Sequence, residues 1–98
     1  MRTVRFELAA GVPMGEAELT LDLARYSAEG LVARARILLD VVHHLDGEGH
    51  AIIVEGDGAA FDSVVRVYTA LLIREFGESA FRVRPVTSTP AKPAAVAP

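Results

Sequence analysis

The sequence predicts an α/β domain: a four-stranded mixed sheet in the order β-β-α-β-α-β, with two helices on one face. Three observations predict it. Two stretches near the N-terminus alternate apolar and polar residues. Two later stretches repeat apolar residues at helical spacing. Between those helices, residues 51–54 ("AIIV") are apolar without alternation, which suits a central strand covered on both faces.

The elements follow in order. In "TVRFEL", Val4, Phe6 and Leu8 share one side, and Thr3, Arg5 and Glu7 the other. That period of two is a half-buried strand. "AAGVPMG" carries Gly11, Pro13 and Gly15 and reads as a turn. In "EAELTLDL", Leu19, Leu21 and Leu23 alternate with Thr20 and Asp22, so the two stretches pair as a hairpin. Ser27 then caps a first helix, with Glu29 near its positive end. Leu31, Ala35, Leu38, Val42 and Leu45 form its apolar stripe, and "DGEG" ends it. The second helix runs over 59–76, with Phe61, Val64, Val65, Tyr68, Leu71, Leu72 and Phe76 inward and Gly77 as C-cap. "FRVRPV" is the last strand, with Phe81 and Val83 in and Arg82 and Arg84 out. Pro85 cannot donate to a ladder, so this strand ends there or lies at a sheet edge.

Residues 1–86 thus read as a single domain. Four of the five prolines fall in the last 14 residues, so 87–98 reads as a Pro/Ala-rich tail or linker that cannot offset its ordering entropy. The net charge of −3, without a basic cluster, argues against nucleic acid as partner. There is no cysteine, hence no thiolate chemistry or disulfide. No apolar run is long enough to span a membrane, and the N-terminus lacks a signal-peptide pattern. The expectation is a cytoplasmic domain of bacterial type that needs no cofactor. Because residues 51–54 are apolar on both faces, the second face of the sheet calls for a cover. A homodimer would supply one.

Chemistry-bearing residues gather at "GDGAAFDSVV". Asp62 or Ser63 at a helix start would serve as an N-cap. Ser63 would equally suit phosphorylation, because a helix N-terminus favours added negative charge locally, while that charge would repel a docked partner. Gly56–Gly58 reads as a loop with freedom for positive φ rather than a phosphate cradle. Glu55, Asp57 and Asp62 could cluster as carboxylates, but charged residues at strand ends are commonly just solvated. His43 and His44 are adjacent and cannot share a metal from one helix face, and Asp40, His44 and His50 converge only if the fold brings them together.

The stretch "HAIIVEGDGAAFDSVVRVYTALLIREFG" resembles the central segment of STAS domains, the fold of bacterial anti-sigma-factor antagonists. There an apolar strand leads through a short loop to an aromatic or aliphatic residue, Asp-Ser and an amphipathic helix. Phe61, Asp62 and Ser63 match that junction, and "YSAEGLVARARILLDVV" looks like the family's first helix. The resemblance spans roughly residues 17–86. It implies a non-enzymatic regulatory module that binds another protein, such as an anti-sigma or kinase-like regulator. Ser63 would be its phosphoacceptor, and Asp57, Asp62 and Ser63 its partner-binding surface. A second reading is a small oligomeric enzyme or ligand-binding protein of RidA or chorismate-mutase-like type. Arg84 in "FRVRP" would then grip a substrate carboxylate at an intersubunit site. The oligomeric state separates the readings, a trimer favouring the enzyme.

Overall fold

Along β1 (Arg2–Leu8) the alternation is realised: Phe6 and Leu8 are buried, while Thr3, Arg5 and Glu7 point to the opposite face. The computed structural model describes residues 1–30, 36–37, 40 and 41–86. Their elements are β1, α1 (Met14–Ala28), β2 (Val41–Asp46), β3 (Ala51–Gly56), α2 (Gly58–Phe76), a 3₁₀ turn (Glu78–Ala80) and β4 (Phe81–Val86).

The expected hairpin of strands 1 and 2 is absent, because residues 14–28 are helical. Burial explains the difference. Leu21 is fully buried, but Leu19 and Leu23 are 67% and 52% exposed, so the alternating leucines do not share an inner face. The true inner stripe is Ala17, Leu21, Ala24 and Ala28, at spacings of four, three and four. The segment is rich in Ala, Leu and Glu, and Thr20 is its one β-branched residue, a composition that favours helix over strand.

The first helix expected from Ser27 to Leu45 is also revised. Ser27 lies in the last turn of α1, not at a helix start. Val41 to Asp46 form β2, and "DGEG" is the turn of the β2–β3 hairpin. Leu31, Ala35 and Leu38 lie outside the described residues. The observed order is therefore β-α-β-β-α-β.

The strand order is β2-β3-β1-β4, and every neighbouring pair is antiparallel. The sheet is not mixed, because β2 and β3 form a tight hairpin and each crossover skips a strand. This is the split β-α-β arrangement of ferredoxin-like topology. Residues 51–54 do lie in an interior strand, as their composition predicts, and Pro85 sits on the edge strand β4.

Both described helices pack on the face carrying Phe6, Ile52 and Val54. α2 starts at Gly58 and ends at Gly77, with Phe61, Val64, Tyr68 and Leu72 buried, as its stripe predicts. The Phe6 and Tyr68 rings meet edge to face, 4.7 Å between centroids. His43 of β2 meets Glu18 of α1 at 3.0 Å. His50 Nε2 donates to the Val12 carbonyl at 2.8 Å, pinning the β1–α1 connection to the hairpin. No described helix is long and apolar enough to cross a membrane.

Candidate functional site

With the described helices on one side, no described residue covers the other side of the sheet. Register sets its side chains in three rows across β2, β3, β1 and β4. The first is Asp46, Ala51, Glu7 and Arg82. The second is His44, Ile53, Arg5 and Arg84. The third is Val42, Glu55, Thr3 and Val86. A shallow concavity of ≈ 540 Å³ lies on this face, lined in part by Arg5, Glu7, His44, Ile53, Glu55 and Arg84.

Charge on this face is organised as a ladder. Arg5 Nη2 donates to Asp46 Oδ2 at 2.8 Å, and Arg5 Nε donates to Glu7 Oε2 at 3.1 Å. Arg84 Nη1 donates to the same Glu7 oxygen at 3.0 Å. Arg5 stands on β1 and Asp46 on β2, so the guanidinium crosses β3 beside Ala51, which is fully buried although it points to this face. Gly49 allows the crossing: a Cβ there would collide with Arg5 Nη2 and Asp46 Oδ2. Gly49 N–H also donates to Asp46 Oδ1 at 3.0 Å. That amide first, and then Arg5, hold the Asp46 carboxyl below its usual range. The Asp46 hydrogen bond is the largest influence raising Arg5 above its own. Glu55 accepts a long hydrogen bond from Thr3, 3.5 Å. Arg82 has no hydrogen bond or ion pair with any described residue.

Of the residues the sequence points to, Arg84, Glu55 and His44 lie on this face, and the others lie elsewhere. α2 begins at Gly58 with Asp57 as N-cap, so neither Asp62 nor Ser63 caps it. The free amides of that helix start belong to its first turn, and Ser63 stands in the second turn, half-buried and without a side-chain hydrogen bond among the described residues. Asp57 pairs with the N-terminal ammonium at 3.4 Å. Asp62 pairs with Arg2, whose guanidinium also lies over the Phe61 ring. Those two acids are thus neutralised by Met1 and Arg2, and Glu55 is apart from them on the open face. Gly58, at φ +68°, supplies the left-handed residue the GDG loop calls for. Asp40 pairs with Arg36, His44 faces outward and His50 is turned to Val12. Among the described residues no three His, Cys, Asp or Glu side chains gather to hold a metal.

Arg5, Glu7 and Asp46 carry no local signal of a site in the sequence. The alternation of β1 already puts Arg5 and Glu7 outward. Their meeting with Asp46 required the register of three strands, which no local pattern in the sequence carries. A second apolar feature is exposed on the helical side: Leu19, Leu23 and Tyr26, spaced four and three apart on α1, beside a groove of ≈ 250 Å³ against α2.

No protein-family model, curated protein or solved structure matches the chain.

Proposed function

We propose that this chain is a non-enzymatic protein-interaction module that docks through the open face of its sheet. The observation that carries the reading is the Asp46–Arg5–Glu7–Arg84 ladder on an uncovered face. Charges fixed in place before binding lose little freedom on docking, and alternating signs select a partner of complementary pattern. The occupant is a folded protein surface with acids and bases alternating in the opposite order. The resemblance of residues 50–77 to a STAS segment implies the same class of function, whereas its counterpart at residues 26–42 does not keep the expected single helix. A phosphate on Ser63 would sit in the helix layer, behind the sheet, so a switch there would act through helix packing rather than by direct repulsion at this face. Glu7 already holds Arg84 Nη1, so a substrate carboxylate at Arg84 would meet a neighbouring acid, which favours docking over an Arg84-based enzyme site.

The test is a photo-crosslinking side chain at Ile53 in the full chain, in its native cell. The expected result is a discrete protein adduct from position 53 that disappears in Arg84→Glu, with the fold checked by circular dichroism. No adduct from position 53, or one indifferent to Arg84→Glu, overturns the reading.

A further inference from the structure

We infer that the occupant of the open face is a second copy of this chain, stacked face to face about a two-fold axis parallel to the strands. The inference rests on the docking reading above and names its partner. Charge complementarity in the first row, between Asp46 and Arg82, carries it.

A two-fold axis lying in the interface along the strands exchanges β2 with β4 and β3 with β1, and keeps each row in place. Asp46 then faces the partner's Arg82, and Arg82 faces the partner's Asp46. Val42 meets the partner's Val86, Glu55 meets the partner's Thr3, and Glu7 and Arg5, paired within their own chain, face the partner's Ala51 and Ile53. Arg82, the cation of this face that has no partner in the described chain, gains an acid. Val42 and Val86, 47% and 41% exposed, cover each other. Arg5 and Arg84 enter the contact already paired with acids of their own chain, which limits the desolvation cost of stacking. His44 faces the partner's Arg84, whose guanidinium can donate to an imidazole nitrogen.

The other in-plane axis, across the strands, does worse. It exchanges the first row with the third, setting Arg82 against the partner's Val86 and Asp46 against the partner's Val42. It also sets Arg5 against the partner's Arg5 and Arg84 against the partner's Arg84.

Size sets the expected strength. Four strands about 4.8 Å apart and six residues long at about 3.3 Å each give a face of roughly 400 Å² in projection. That lies toward the small end of specific interfaces, so the dimer should be weak, with a dissociation constant in the range of about 1–100 μM. Stacked sheets of this kind sit about 10 Å apart with strands roughly aligned.

The experiment is sedimentation equilibrium of the full chain from about 1 μM to 1 mM. Arg82→Glu removes no hydrogen bond or ion pair among the described residues, and with its fold checked by circular dichroism it should weaken the dimer tenfold or more by facing the partner's Asp46 with a like charge. His44→Glu should tighten it about two- to fivefold by facing the partner's Arg84. Leu23→Glu, on the exposed stripe of α1, should leave it unchanged. A chain that stays monomeric throughout overturns the inference, as does a dimer lost in Leu23→Glu and indifferent to Arg82→Glu. The crosslink at Ile53 separates the two levels. An adduct of two copies supports both. An adduct to another protein with a monomeric chain sinks the homodimer alone, and no adduct at all sinks the docking reading as well.

Discussion

The phenol of Tyr68 donates to the backbone carbonyl of Ala17 at 2.8 Å, joining α2 to α1 inside the core. Burial, and then the nearby Glu18, push this hydroxyl well above the ordinary tyrosine value. Tyr68→Phe keeps the ring against Phe6 and removes only the donor. It should cost about 0.5–1.5 kcal/mol, read as a shift in the denaturant midpoint.

The same residue sets an alkaline limit. Its raised folded-state value means that its contribution to stability is complete below the unfolded tyrosine value, about 10, and is lost as pH rises from there toward the folded one. Between about pH 9 and 11 the wild-type melting temperature should fall more steeply than that of Tyr68→Phe. Parallel curves would remove Tyr68 as the cause.

Asp46 sets an acid limit of the opposite sign. Its folded-state value is lowered, so its contribution is present above the unfolded aspartate value, about 4, and is lost as pH falls through the folded one. Thermal scans between about pH 5 and 2 should show a flatter decline for Asp46→Asn than for wild type. Equal slopes would mean that the Gly49 and Arg5 contacts do not persist in solution.

Three leucines of α1 separate helix from strand energetically. Leu21→Ala should cost about 2–5 kcal/mol, because it opens a cavity in the core. Leu19→Ala and Leu23→Ala should each stay within about 0.5 kcal/mol, as exposed positions do. Equal losses at all three would restore the strand.

Ser63→Ala should leave the melting temperature unchanged or slightly higher, because alanine is the better helix former by up to about 0.7 kcal/mol and no side-chain hydrogen bond is lost. Ser63→Asp tests the switch: loss of the Ile53 adduct in this variant, with the adduct retained in Ser63→Ala, is the outcome a phosphorylation switch requires.

Long periodic segments were legible in the sequence. The stripe Phe61, Val64, Tyr68 and Leu72 marks α2, and the alternation Val4, Phe6, Leu8 marks β1. α1 was obscured because three of its four inward residues are alanines, which give little hydropathy contrast, while its exposed Leu19 and Leu23 imitate strand alternation. β2 was hidden for the complementary reason: Val42 and Leu45 are half exposed on an edge strand, and their spacing also fits a helix. With α1 and β2 misassigned, the strand order was out of reach, and so was the ladder, since Arg5 and Asp46 are neighbours only through the register of β3.

The sheet order also governs how the chain acquires its shape. β1 is made first, yet both of its neighbours, β3 and β4, come late, and Thr3 is paired with Val86. Such distant pairings slow folding, because the intervening loop must close before the contact forms. On the ribosome, residues 2–8 wait for β3 until residue 56 is made, and their other edge stays open until nearly all of the described chain has emerged. Arg5 and Glu7 already stand on that waiting strand, and charge on an unpaired edge discourages premature association with other nascent chains.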